Sequence, residues 1–360
     1  MENVLSNIRV LDLGRFISAP FCGMLLADMG AEVIKIERVG EGEDGRRLGP
    51  YKNGVSAYVT SFSRNKKGMT LNFRAPEGKE IFRKLIEKSD VLIENFRPGT
   101  MKAMGFDYET VKSINPAIIM SSISGFGQVG QQRDRAAFDG IASAMGGLHA
   151  INYTEKGPRA TGLPLVDHIT ATYNALAIMM ALYDRKNTGL GQFIDTAMLD
   201  CVFSYFETRL PGYALNGSDI GRLTKFGTGD PLACPSNVYE CKNGHVCLHA
   251  GTDPNFVRFA EIARVPELLD PKYRKIENRM ADYNYVDDLV AKWFKTKTVE
   301  EADTELNNAG VPIGIVRNFE RILDDPNSLE REIGVWTAVS GIGEVPCCGN
   351  PFKLKTRPLD

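Results

Sequence analysis

Between Ile8 and Ser124 short apolar runs alternate with helix-like stretches, and no other feature constrains the fold as strongly. IRVLDL (8–13) and EVIKIE (32–37) read as strands, with a helix near Pro20 to Met29 between them. A helical crossover this short returns the chain to the same end of the sheet, so the two strands run parallel. A helix at 76–89 opens on Pro76-Glu77, followed by a strand at 90–94 (DVLIE), a helix near 107–114 and a strand at 117–124 (AIIMSSIS). Such alternation predicts a doubly wound, Rossmann-like α/β domain. Ligands in sheets of this kind bind beyond the carboxyl ends of the strands. The loops after Ile36, Ile93 and Ser124 are therefore the candidates for a site.

Further along, the pattern changes. Residues 216–236 are rich in Gly, Ser, Thr, Asp and Pro and read as a linker. SNVYEC and HVCLHA then read as a hairpin turning at Lys242-Asn243-Gly244, followed by helices at 253–263, 282–295 and 298–309 and a strand at 311–316. The division is a large domain over 1–215, the linker, and a smaller α+β domain over 237–325. There is no internal repeat and no low-complexity segment.

The charge balance, 43 − 45 = −2, gives no general attraction for nucleic acid or a membrane surface. MENVLSNIRV has neither the basic nor the apolar region of a secretory signal, and the apolar run near Leu176 to Leu182 is too short to span a bilayer. Seven scattered cysteines without a C-x-x-C fit reduced thiols in a cytoplasmic enzyme better than a disulfide framework or a zinc set. No metal site is expected.

Pro164, Asp167 and the apolar run from Ile169 to Tyr183 mark the start of a largely buried helix. On these residues alone Asp167 reads as a helix N-cap. A carboxylate there also meets backbone N–H donors and the positive helix end, which favour the ionised form that a nucleophile needs.

The company of Asp167 decides between these readings. RVLDLGRFISAPFCGMLLADMGAEVIKIER, RNKKGMTLNFRAPEGKEIFRKLIEKSDVLIENFRPGTMKAMG, NPAIIMSSISGFGQVG, the Asp167 segment, and GVPIGIVRNFERILDDPNSLERE with the later GNPFKL together resemble the class III (CaiB/BaiF-type) CoA-transferases. These share their fold with the 2-methylacyl-CoA racemases. The resemblance implies an interlocked homodimer, with residues 326–360 returning to the large domain. It implies coenzyme A and acyl-CoA as substrates, a carboxylic acid as acceptor, and no permanently bound cofactor. The family's nucleophile is an Asp, and Asp167 is the match. Asp139, in AAFDGIASAMGG, matches an acidic position near it and reads equally as a second cap. CoA carries a 3′-phosphate and a pyrophosphate, so its site needs cations and backbone donors. The matching positions are Arg38, Leu71 and Arg74 of LNFR, and Asn95, Phe96 and Arg97 after the strand DVLIE. Lys102 is a weaker match, since some relatives carry the cation one place later, at Ala103. Ile17 and Ser18 lie where the backbone of relatives approaches CoA, and Phe138 stands beside Asp139 in the same region.

Phe138 also separates the two chemistries of the family. A racemase needs two proton carriers about one carbon and has a His at this position, whereas Phe carries no proton. None of His149, His168, His245 and His249 is placed as a substitute. CoA transfer through an aspartyl anhydride and an aspartyl-CoA thioester is thus the leading expectation. Racemisation or epimerisation of 2-methylacyl-CoA is the alternative. A nucleotide-dependent oxidoreductase lacks its G-x-G-x-x-G, since LDLGRFISAP has one glycine. A catalytically silent CoA-binding protein is a fourth reading, against which an intact Asp167 stands.

Overall fold

The computed structural model describes residues 4–154, 156–207, 209–217 and 229–354. The chain forms two compact units. One comprises Met1–Leu148, Ala160–Thr208 and Asn327–Asp360; the other comprises His149–Arg159 and Arg209–Pro326.

The first unit is built on a six-stranded sheet of β1 (Arg9–Asp12), β2 (Glu32–Glu37), β3 (Lys66–Thr70), β4 (Val91–Glu94), β5 (Ile119–Ser124) and β6 (Phe193–Ala197). Every neighbouring pair is parallel, and the spatial order is β3-β2-β1-β4-β5-β6. Side chains alternate across this sheet and feed a core on each face. Val10, Val33, Val91, Ile93, Ile119 and Ile123 pack with α1 (Ser18–Asp28) and α5 (Leu165–Thr188). On the other face Leu11, Ile36, Leu92 and Met120 pack with Phe82 and Ile86 of α2 (Pro76–Glu87) and Val111 of α3 (Tyr108–Ile114). A shorter helix, α4 (Asp139–Met145), contributes Ala142 to a small cluster with Val166, Met198 and Val202.

Two strands of this sheet escaped the sequence reading, and both are edges. KKGMT (β3) and FIDTA (β6) expose much of their length and carry charged or polar residues. That composition discourages pairing with another chain but hides the alternation of a strand. The expected strands and helices of the first 125 residues are present, with ends shifted by one or two residues.

By length and composition α5 is apolar enough to cross a membrane, which corrects the reading of its apolar run as too short. In this unit it is a core helix. Ala171, Ile178, Ala181 and Leu182 are buried against α1, and its buried Asn174 accepts hydrogen bonds from Ser121 Oγ (2.6 Å) and Thr196 Oγ1 (2.8 Å).

In the second unit, Ser236–Cys241 and Gly244–His249 form the expected hairpin, with Ile313–Ile315 added antiparallel as a third strand. Helices Asp253–Ala263, Tyr283–Lys295 and Val299–Asn308 cover it through Phe256, Phe259, Phe294 and Leu306. At its centre lies the fully buried Arg279. Its guanidinium donates to the carbonyls of Cys234 (2.7 Å), Tyr273 (2.6 Å) and Gly251 (2.6 Å) and to Asp253 Oδ1 (3.0 Å). Most of the segment read as a linker, 218–228, lies outside the described residues.

Candidate active site

After β1 the chain turns towards β2, and after β4 it turns the opposite way, towards β5. The loops that leave these two neighbouring strands therefore part, opening a crevice at the carboxyl edge of the sheet. Two cavities of the first unit meet there. The larger, of about 910 Å³, is lined from the loops after β1, β2, β3 and β4. The smaller, of about 200 Å³, is lined from the loops after β1, β4 and β5, together with Asp167 of α5. Arg15 and Phe96 line both, with the guanidinium carbon 5.3 Å above the ring.

The loop between β1 and α1 is fixed by side chains from around it. Asp12 is fully buried; its Oδ1 accepts from Gly14 N–H (2.7 Å), with Lys35 Nζ 3.4 Å away, and its Oδ2 accepts from Lys66 Nζ (2.7 Å). Lys66 also donates to the carbonyl of Pro20 (2.7 Å), and Lys35 to that of Gly14. Burial alone would raise the Asp12 carboxyl, but Lys35 and Lys66 outweigh it and hold it below the usual carboxylate range. Position 14 has room only for glycine, since a Cβ there would sit 2.5 Å from that of Ala19 and 2.8 Å from Asp12 Oδ1. Asn95 grips the next peptide from both sides. Its Oδ1 accepts from Arg15 N–H (2.8 Å), and its Nδ2 donates to Arg15 O (2.8 Å) and Ser18 Oγ (3.1 Å). Glu43 accepts from Phe16 N–H (3.1 Å). Held this way, Phe16 adopts φ 60°, a left-handed conformation costly for a bulky residue and retained where surroundings over-determine it. The result is that Ser18 opens α1 beside Asp167, where its hydroxyl and N–H favour the ionised carboxylate.

Asp167 differs from expectation in two respects. The N-cap of α5 is Pro164, which makes no side-chain cap, and Asp167 sits within the first turn. The free N–H groups of that turn go instead to Asp139, whose Oδ2 accepts from Val166 (2.7 Å) and Asp167 (3.1 Å). Asp139 thus stands at the start of α4 and caps α5. The Asp167 carboxyl is not eased into ionisation by the helix end. Burial chiefly, and then the charge of Asp139, push it up to about 7, while the Ser18 hydrogen bonds pull the other way. The adjacent His168 turns its ring onto Phe21, with centroids 4.7 Å apart, and its Nδ1 lies 2.8 Å from Pro164 O.

The other expected residues divide between the cavities. Arg38, Leu71 and Arg74 line the larger, and Lys79 joins them. Arg38 is partly engaged, with Nη2 2.6 Å from Asp44 Oδ1, whereas Arg74 has no ion pair among the described residues. At the end of that cavity the wall residue is Ala103; Lys102, one place earlier, is exposed and faces elsewhere. Ser18, Asn95, Phe96, Arg97 and Phe138 line the smaller cavity. Phe138 is 64% exposed and meets Phe16 edge-on at 5.5 Å. Ile17 is buried and lines neither cavity, so its part there is confined to the backbone that leads into Ser18.

Three arginines of the site went unread in the sequence. Arg15 pairs with Asp44 (2.6 Å), and its buried Nε has no hydrogen-bond partner among the described residues. Arg133 and Arg135 line the smaller cavity beside Asp167. The signal for the last two was available, because QQRDRAAFD carries them on the loop after β5, directly before Asp139. Among the described residues no group of three or more His, Cys, Asp or Glu is arranged to hold a metal.

Comparison with known proteins places the fold and the sequence in one family. The profile of CoA-transferase family III matches residues 5–360. The succinyl-CoA–D-citramalate CoA-transferase of Chloroflexus aurantiacus is 36% identical over 345 residues, covering 95% of this chain and 85% of that protein. The human succinyl-CoA:glutarate CoA-transferase is 32% identical over 354 residues, covering 97% and 80%. The crystal structure of a CaiB/BaiF family protein from Brucella suis superposes with a TM-score of 0.86 at 29% identity, covering 100% of this chain and 95% of that one. The chain belongs to CoA-transferase family III.

Proposed function

We propose that this enzyme moves CoA from an acyl-CoA donor to a carboxylic acid with Asp167 as the covalent nucleophile. One observation carries the reading. A half-buried carboxylate with an elevated pKa faces a small cavity that joins, at Arg15 and Phe96, a larger cavity lined by basic residues. The larger cavity fits the nucleotide and phosphates of CoA, with Arg38, Arg74 and Lys79 as counter-charges. The pantetheine arm then passes Arg15 and Phe96, bringing the thioester to Asp167. Relatives named as succinyl-CoA transferases support an acyl-CoA donor of that kind.

The chemistry follows from the carboxylate. An Asp167 oxygen attacks the thioester carbonyl, the C–S bond breaks, and CoA leaves as thiolate, giving a mixed anhydride. The thiolate then attacks the Asp167 side of the anhydride and expels the donor acid. The acceptor carboxylate attacks the aspartyl-CoA thioester in turn and releases thiolate again. Attack of that thiolate on the acceptor acyl carbon forms the new thioester and restores Asp167. A basic, poorly hydrated carboxylate is the stronger nucleophile, and a closed site protects both intermediates from water. Asp139 fixes the first turn of α5 and adds to the basicity that burial gives Asp167. Ser18 orients the carboxylate from the opposite side.

Racemisation requires proton carriers on both faces of the α-carbon. Phe138 offers none, and the His168 ring is engaged with Phe21 and Pro164. The same family reading places the chain in a homodimer, supported by the apolar stripe that α5 exposes at Tyr173, Leu176, Met180 and Tyr183.

Asp167→Asn keeps the shape of the side chain and removes the nucleophile. Exchange of CoA between acyl-CoA and labelled acid is expected to fall by several orders of magnitude, with the fold intact by circular dichroism. Turnover near that of the parent, once mass spectrometry has excluded deamidation back to Asp, would overturn the assignment.

A further inference from the structure

The smaller cavity holds more positive charge than the reaction at Asp167 requires. Arg97, Arg133 and Arg135 line it, and Asp167 is its single carboxylate among the described residues. The phosphates of CoA already have Arg38, Arg74 and Lys79 in the other cavity. Arg135 rests its guanidinium 5.8 Å over the ring of Phe126 and forms no ion pair among the described residues, so its donors are positioned and unspent. Arg133 has an exposed contact with its own neighbour, Nε to Asp134 Oδ1 at 3.3 Å, a pairing weak enough to yield to a ligand. Both lie on the loop that runs from β5 into Asp139, the residue that caps the helix bearing Asp167. The acyl group of the donor must enter this cavity for its carbonyl to reach Asp167. Its far end then meets guanidinium groups, whose planar fork matches a carboxylate.

We infer that Arg133 and Arg135 select acids with a second carboxylate. Donor and acceptor are both dicarboxylic: one carboxyl reacts at Asp167 as thioester or anhydride, and the other, ionised, docks on the Arg133–Arg135 loop. This rests on the assignment of Asp167 as the reacting carboxylate.

The test is self-exchange, in which donor and acceptor share one acyl group. Succinyl-CoA is incubated with isotope-labelled succinate, and butyryl-CoA with labelled butyrate, which has a methyl in place of the distal carboxylate. Label entering the acyl-CoA is followed by mass. The parent enzyme is expected to exchange succinate in strong preference to butyrate. In Arg135→Ala and Arg133→Ala that preference should fall by roughly ten- to a hundredfold, the worth of a charge-assisted hydrogen bond. The change should arise from a higher KM for succinyl-CoA and succinate. Arg135→Lys, which keeps the charge but not the fork, should recover part of it. Equal losses for both acids, or an unchanged preference in both alanine variants, would overturn the proposal. So would a parent enzyme that exchanges butyrate as readily as succinate. A parent enzyme that exchanges butyrate well and succinate poorly would refute the dicarboxylate reading while leaving the transferase intact. Failure to exchange either acid would overturn this proposal, and Asp167→Asn, assayed with other acyl-CoA and acid pairs, tests the reading of Asp167 separately.

Discussion

Asp12→Asn is the most demanding perturbation of the site's foundation. Asp12 is the single anion between two ammonium groups, and all three side chains are almost wholly buried: 0% exposed for Asp12, 2% for Lys66 and 6% for Lys35. The amide is the same size and its Oδ1 still accepts from Gly14 N–H, so packing is preserved, but the charge is lost and an NH2 group replaces the oxygen that accepts from Lys66. Two buried cations then face each other without an anion. Removing one partner of a buried pair costs about 3–5 kcal/mol, because the remaining charge stays desolvated. For a unit of this size about 1 kcal/mol lowers the melting temperature by roughly 2–4 °C, so a fall of about 10 °C is expected. The assay is thermal unfolding by circular dichroism near pH 7. The sign with pH is fixed by the lowered Asp12 pKa. Its contribution is fully present above the ordinary value of 3.8 and is lost as pH falls through the folded-state value, so the neutral measurement sees all of it. Adding Lys66→Met removes one of the stranded cations, and the double variant should be less destabilised than the sum of the two single ones. A loss under about 1 kcal/mol for Asp12→Asn, or strict additivity in the double variant, would show that the cluster does not depend on charge balance.

Two further outcomes are expected. Asp139→Asn keeps an acceptor for Val166 and Asp167 N–H but removes the neighbouring charge, so the Asp167 carboxyl should drop from about 7. Because the ionised form attacks, the acid limb of kcat/KM for acyl exchange should move down by about one pH unit; an unmoved limb refutes the coupling. Arg279→Met strands three carbonyls and Asp253 in the core of the second unit and should cost about 3–5 kcal/mol, read as a lowered urea midpoint. An unchanged midpoint there would contradict it.

The sequence was most legible where burial imposes a pattern. β1, β2, β4 and β5 are apolar runs because both faces of the sheet are covered, and each was read to within two residues. The edge strands β3 and β6 were not, because exposure replaced their alternation with polar residues. Asp167 was singled out by the motifs around it, but its environment was misjudged. Which carboxylate caps α5 depends on where α4 lies in space, and Asp139 reaches across 27 residues of sequence to do so. The same holds for Arg15. Its value comes from spanning two cavities, a property of loops that part at a reversal in strand order. Arg133 and Arg135 were legible in principle, since they lie in a stretch whose last residue had been singled out, but surface charge is their default meaning.

The division of the chain bears on how the protein is made. The first unit is assembled from three stretches, and the second unit occupies the gaps between them. All six strands of the sheet have left the ribosome by Ala197, so the parallel core can condense early. Its last piece arrives only after the whole second unit has been translated. That piece carries the hairpin of Gly334–Val339 and Gly343–Cys348, where Gly341 O accepts from Asn53 (2.9 Å) and Cys348 O from Arg64 (2.7 Å). Arg64 in turn grips Asp28 at the end of α1, the helix that Ser18 begins. A nascent chain therefore holds the surroundings of Asp167 long before it holds the clasp behind them. Premature termination near residue 326 would release a sheet with the Asp167 carboxylate in place and the back of α1 unsupported.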